Sequence, residues 1–248
     1  MTLAQPLPTQ KDEAWRYADL KAVETIWQAV DAPEPIIVDA GQSAQQLLVL
    51  ESGDARMRQL HVVLEEGARM DLACLAFAPA YGRIEIDIDV ASGAHFEMGG
   101  AIVGSGEQTL EIVTRVNHHA PDATSHQTVR SVLAEKATGS FLGKITIARD
   151  AQRIDAEQSV KSMLLDRGAT ANAKPELEIY ADDVKCAHGA TVGELDKQAL
   201  FYMASRGLDP QAAKRLMLHA FVAEAFVDVA ADTDGVEEQA LAALEALL

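Results

Sequence analysis

Arg83-Ile84-Glu85-Ile86-Asp87-Ile88-Asp89-Val90 is the run that sets the fold class. Four aliphatic side chains alternate with one cation and three anions. Successive side chains of an extended chain point to opposite faces, so period-two alternation this strict specifies a strand with one face buried. Comparable runs lie at 61–64, 110–116, 128–133, 144–148 and 177–180. No amphipathic helix separates them, which argues against alternating strands and helices. The turns resemble one another: Glu66-Gly67-Ala68, Ser92-Gly93-Ala94, Asp150-Ala151 and Arg167-Gly168-Ala169 each open a new strand-like segment. Their spacing is irregular, so the repeat is weak. Residues 36–192 suit either a β-sandwich or a coil of stacked parallel rungs, and periodicity leaves both open.

Both ends change pattern. Residues 11–30 carry Trp15, Leu20, Val23 and Trp27 at helical spacing, and Pro33 and Pro35 stop any helix there. After Val192 the helical period returns. A helix is expected over 196–206, with Leu200, Met203 and Ala204 on its apolar side and Gly207 as its stop. Asp209-Pro210 is a start signal, an acid N-cap followed by proline at the first helical position. It opens a helix expected over 211–229 with an apolar stripe of Ala213, Leu216, Met217, Ala220, Ala223 and Val227. Residues 232–235 break it, and a last short helix covers 236–248. Three such helices are too few for a core of their own; they must pack on the strand body or on another protein.

The chain has 248 residues, 48% of them apolar, enough for a substantial core, and only 5% aromatic. Against 21 Lys+Arg stand 38 Asp+Glu, a formal charge of −17. Such a surface repels nucleic-acid phosphates and anionic lipid and attracts cations. Two cysteines, Cys74 and Cys186, do not make a disulfide framework. Residues 1–11 show no basic-plus-apolar leader, and no run approaches a membrane span, so a reducing cytoplasm is expected. Cys74, in Leu72-Ala73-Cys74-Leu75-Ala76-Phe77, reads as a small buried hydrophobe.

Most of the chemistry lies in Lys174-Pro175-Glu176-Leu177-Glu178-Ile179-Tyr180-Ala181-Asp182-Asp183-Val184-Lys185-Cys186-Ala187-His188-Gly189-Ala190-Thr191-Val192-Gly193. Cys186 and His188, two apart in an extended segment, face one way and could reach one metal ion together. They sit at the end of the last strand, with Gly189 expected to turn the chain toward the helices. Two ligands do not complete an iron site, so a partner chain must supply the rest. A metal-bound thiol also needs a lowered pKa, and alternation sends Lys185 to the opposite face. The bland alternative is that both residues simply close a packed strand face.

The rival metal ligands are His118, His119 and His126. The first two point opposite ways in a strand, and structural roles are expected for all three. Asp182-Asp183 reads as a surface turn. A phosphate loop and a nucleophile elbow are both missing, and Gly99-Gly100-Ala101-Ile102-Val103-Gly104 lacks the setting of a dinucleotide fingerprint.

The same stretch, continued by Glu194-Leu195-Asp196-Lys197-Gln198-Ala199-Leu200-Phe201-Tyr202-Met203-Ala204-Ser205-Arg206-Gly207-Leu208, resembles the C-terminal signature of the SufB/SufD family, on its SufD side. Members of that family are scaffold subunits of the SUF iron–sulfur cluster assembly system. Glu13-Ala14-Trp15-Arg16-Tyr17-Ala18-Asp19-Leu20 is similar to the family's opening motif. Asn117-His118-His119-Ala120-Pro121-Asp122-Ala123-Thr124-Ser125 is similar to its His-x-x-Pro-x-x-Thr-Ser stretch. The resemblance implies a mainly β fold: a right-handed parallel β-helix core over 36–193, between an N-terminal helical segment over 1–35 and a C-terminal helical subdomain over 194–248. It implies a SufB-like partner and a SufC-like ABC ATPase. The ATPase would dock on the helical subdomain, at Arg206, Gly207, Leu208, Asp209, Pro210 and Leu216. It matches His188 to a family histidine at the subunit interface, where a transient iron–sulfur cluster forms, and Cys186 to the cysteine beside it. A reduced flavin is associated with the family's complex, and no cofactor with the isolated chain.

Family members are usually longer, so a compact version is expected. The region where SufB relatives carry a cysteine reads Gln158-Ser159-Val160-Lys161-Ser162-Met163-Leu164-Leu165, with no thiol. That favours the SufD side and a subunit that does not itself receive sulfur.

A non-enzymatic scaffold for cluster assembly is therefore the leading expectation. A β-helix carbohydrate-active enzyme would need converging carboxylates and basic residues for an acidic sugar, which the charge opposes. A metal-free oligomerisation module is the third reading. Whether the isolated chain pairs with a copy of itself is open.

Overall fold

The computed structural model describes residues 6–30, 32–50, 52–229 and 234–248. Two six-stranded parallel sheets face each other. One runs in the order β1 (Glu34–Val38), β3 (Ala55–Leu64), β5 (Tyr81–Val90), β7 (Thr109–His118), β9 (Thr138–Ile147) and β11 (Thr170–Ile179). The other runs β2 (Ser43–Val49), β4 (Arg69–Ala76), β6 (His95–Gly104), β8 (Thr124–Leu133), β10 (Ile154–Leu164) and β12 (Val184–Gly193). Consecutive strands alternate between sheets, so the chain winds as a parallel β-solenoid of about five turns. The stacked-rung alternative holds, and the sandwich does not.

Register explains why the repeat looked weak. Ile86 stacks on Leu60, 26 residues on; Thr114 on Ile86, 28 on; Gly143 on Thr114, 29 on; Pro175 on Gly143, 32 on. The rungs lengthen toward the C-terminal end, which smears a fixed period. The corners are nonetheless tied together. Gly41 N donates to Glu66 O, Gly67 N to Ser92 O, Gly93 N to Pro121 O and Asp122 N to Gln152 O. All four of these residues have left-handed backbones. The column starts with glycine, which takes that conformation without strain, and continues through Asp122 to Arg153, also left-handed, whose N donates to Asp183 O.

Inside the coil, like stacks on like. Ile36, Val62, Ile88, Val116, Ile145 and Leu177 form one continuous ladder. Burying each such side chain contributes about 1.5–3 kcal/mol relative to exposure. Cys74 lies in this core as expected, and burial pushes its thiol up to about 12.

The charged face of β5 is not the solvated face that the alternation suggests. Arg83 and Glu85 are buried beneath the N-terminal segment. The Arg83 guanidinium lies 3.9 Å from the Trp15 ring centre and pairs with Glu85 and Glu111. That contact also breaks up the helix expected over 11–30. A 3-10 turn, Glu13–Trp15, sets the indole on Arg83, and Asp19 then caps a short helix α1 (Leu20–Ile26) through the Lys21 and Ala22 amides.

At the other end, α2 (Lys197–Ser205) is capped by Asp196 and stopped by Gly207 at φ +89°. The next helix, α3 (Pro210–Ala223), starts on the Asp209 cap, and α4 is Asp234–Glu245. The α3 helix ends at Ala223 rather than continuing to 229. Glu224 there turns toward Arg130 and Lys161, and the Ala225 carbonyl comes down onto β6 at Gly99. Of the expected breaker, residues 232 and 233 lie outside the described residues, and Gly235 is inside α4. Helices α3 and α4 cover the outer face of the second sheet: Leu218, Val222, Phe226, Val236, Ala240 and Leu244 pack on Ala73, Leu75, Ala101, Val103 and Val132. The glycine-rich stretch at 99–104 is therefore strand β6, whose small residues admit a helix end.

Candidate functional site

The last rung consists of β11 and β12, each the terminal strand of its sheet. Both are more exposed than the rungs above them. Their outer edges carry backbone groups with no strand partner among the described residues, an arrangement that favours pairing with another chain. Ile179, Tyr180 and Val192 are exposed there.

Cys186 and His188 lie on β12, and the structure corrects their setting. They sit in the first half of the strand, not at its end. Gly189 is extended strand rather than a turn, and β12 continues to Gly193 before the helices begin. Asp182-Asp183 is the bend between β11 and β12.

Register assigns the facing of the pair. Cys186 stacks on Ala156 and His188 on Gln158, both inward-facing residues of β10. Both side chains thus look into the mouth of the coil. Cys186 is half-buried against the core, and His188 is exposed. Lys185 faces outward, as alternation required. Burial pushes the Cys186 thiol up, and the nearby Asp155 charge adds to this; the Ala156 backbone hydrogen bond opposes both. Within the chain, then, the net effect is against thiolate formation. Among the described residues no third His, Cys, Asp or Glu joins the pair as a ligand cluster.

Behind His188 the inward column is polar. It reads His188, Gln158, Gln127 and then Met98 and Leu72. Gln127 accepts from Thr114 Oγ1 at 2.6 Å, whereas the fully buried Gln158 amide has no hydrogen-bond partner among the described residues.

The rival histidines separate as alternation demanded. His118 is buried, its Nε2 2.9 Å from Ser125 Oγ, and His119 is exposed beside Asp89. His126 joins neither. It meets His95 and Glu97 on the outer face of the second sheet. That grouping was missed because it needs the rung period: His95 and Glu97 are two apart on β6, and His126 stacks on Glu97 from the next rung.

The residues named for ATPase docking form a continuous exposed segment from Arg206 to Pro210, with Leu216 nearly two turns into α3 and also exposed. Helix α2 buries none of its side chains, and Phe201 is 77% exposed. Leu216 and Val227 of the expected α3 stripe are exposed too, while Leu218 and Val222 face the body. The packed face is therefore rotated from the expected one.

Residues 42–221 match the family model for the SUF system FeS cluster assembly SufBD core domain. The chain belongs to the SufBD core family. Among curated relatives of this SufBD chain is the iron-sulfur cluster assembly protein SufD of Escherichia coli, 37% identical over 129 residues. That alignment covers 52% of this chain and 30% of the relative. SufD of Bacillus subtilis is 30% identical over 153 residues, 62% of this chain and 35% of the relative. The chloroplastic protein ABCI7 of Arabidopsis thaliana is 38% identical over 119 residues, 48% of this chain and 25% of the relative. The chain thus spans about a third of the length of these relatives. Its likeness is to the SufD type, and the family match takes in β12, α2 and most of α3. No helix among the described residues is long and apolar enough to cross a membrane.

Proposed function

We propose that this chain is a non-enzymatic, SufD-like scaffold subunit for iron–sulfur cluster assembly in a reducing cytoplasm. A larger SufB-like subunit covers the open rung, and a SufC-like ABC ATPase docks on the Arg206–Pro210 segment and Leu216. The cluster is cargo, not a resident cofactor. His188, with Cys186 beside it, donates to iron at the joint, and the partner supplies the remaining ligands.

The carrying observation is that His188 is exposed on an edge strand whose outer side has no strand partner among the described residues, facing the mouth of the coil, with no third His, Cys, Asp or Glu grouped with it and Cys186 among those residues. An imidazole so placed becomes part of a metal site only when a second chain arrives. The raised Cys186 thiol points the same way, because metal binding or a partner's cation must favour its thiolate. The exposed side chains of α2 and of the α2–α3 loop give the ATPase a surface that the solenoid leaves uncovered.

The test is anaerobic co-expression with a SufB-like subunit and the ATPase, with iron and labile sulfide measured on the purified complex. His188→Ala should leave the complex assembled and strip it of cluster, and Cys186→Ser should weaken cluster retention. A full cluster complement in His188→Ala would remove that residue from the mechanism. Recovery of a homodimer of this chain in place of the three-protein complex would overturn the partner assignment.

A further inference from the structure

We infer that His95, Glu97 and His126 form a second metal site, for a divalent first-row ion of the ferrous iron or zinc class, on the outer face of the second sheet. It is separate from the rim at His188. It rests on its own geometry and stands whether or not the scaffold reading does.

The three ligand atoms come from two adjacent rungs. His95 Nε2 lies 3.3 Å from Glu97 Oε2, and His126 Nδ1 lies 3.3 Å from the same oxygen. All three lie within 4.8 Å of one another. Two metal–ligand bonds of about 2.1 Å at a tetrahedral angle place their donor atoms about 3.4 Å apart. Both histidine–glutamate spacings match that bite. The His95 contact is close without hydrogen-bond alignment, so this nitrogen approaches the carboxylate without being bonded to it.

The surroundings orient the set. His95 Nδ1 is 2.6 Å from Thr124 Oγ1, the residue stacked under it, which leaves Nε2 aimed at Glu97. A hydrogen bond of this kind on the second ring nitrogen is the usual companion of a metal-bound histidine. Glu97 is 5% exposed, an anchored carboxylate rather than a surface one. The competing cations nearby are engaged elsewhere: Arg69 makes two contacts to Asp71, and Arg130 and Lys161 hold Glu224.

The donor set decides the ion class. Two imidazoles with one carboxylate suit iron, zinc or cobalt and are poor ligands for calcium or magnesium. Three protein ligands leave at least one position open. The three residues line a cleft of about 550 Å³ whose walls also carry Glu157, Glu224 and Asp228, which outnumber Arg69 and Arg130 there and draw in cations. The site is therefore built for exchange rather than as a closed structural knot.

The test is anaerobic titration of the full chain with Co(II), read by its ligand-field absorption, followed by displacement with Fe(II) or Zn(II). One Co(II) per chain is expected, displaced by either ion. Glu97→Gln and His126→Asn should each weaken binding at least tenfold. His188→Ala and Cys186→Ser should leave it unchanged, separating this site from the rim. Melting curves of both site variants establish that the fold persists. Undiminished Co(II) binding in Glu97→Gln and His126→Asn would overturn the assignment, as would loss of binding in His188→Ala.

Discussion

His118 shows how much a neighbourhood changes a residue. Its column on the first sheet reads Val38, Leu64, Val90, His118, Ile147 and Ile179, so one imidazole sits in an aliphatic stack. Burial, with a smaller contribution from the neighbouring His119, lowers its pKa to about 4. The unfolded chain takes up a proton near pH 6.5, and the folded one does not until about pH 4. Stability therefore falls as pH drops through that window and levels off below it. Between pH 7 and pH 5 the wild type should lose about 2 kcal/mol more than His118→Gln, by urea unfolding at each pH. Equal losses would place the proton elsewhere. Gln158 is the converse case, a buried amide without a partner among the described residues. Gln158→Met should raise stability by about 1 kcal/mol, since a buried amide without hydrogen bonds costs more than an apolar chain of similar shape. A fall in urea midpoint would show that the amide is bonded after all.

At the scale of elements, the contact between β6 and the end of α3 depends on a missing side chain. A Cβ on Gly99 would stand 2.3 Å from the Ala225 carbonyl. Gly99→Ala should destabilise the protein by about 1–3 kcal/mol and free α3 and α4 for proteolysis before the solenoid unfolds. An unchanged melting temperature would contradict this packing. Element boundaries show where sequence reading succeeds. The Asp209-Pro210 start and the Gly207 stop were legible because capping is local chemistry, and both occur as expected. The end of α3 was not legible. Nothing near Ala223 breaks a helix; the strand 124 residues upstream does, through Gly99.

At the scale of the whole molecule, the N-terminal segment and the solenoid are joined by Trp15 on Arg83 and by the buried Arg83–Glu85–Glu111 group. Arg83→Met should cost about 3 kcal/mol or more, because it strands the buried Glu111 without a cation while Glu85 keeps only Arg115, and Glu111→Gln added to it should recover part of the loss. Thermal unfolding of both variants checks this. A loss under 1 kcal/mol would mean that the segment lets water in. The open end gives a prediction of the opposite kind. Val192 is exposed on the last rung, so Val192→Lys should leave the melting temperature unchanged while abolishing the capture of a SufB-like subunit that we propose. The sequence by itself determined the strands, the helix caps, the acidic surface and the Cys186–His188 spacing, since each depends on residues a few positions apart. The family resemblance already implied the stacked-rung coil; only the tertiary structure decided that its rungs lengthen, that half of the β5 charges are buried, and that His126 belongs with His95 and Glu97. Those relations link residues about 30 or more apart, and stacking brings them together where no local pattern records it.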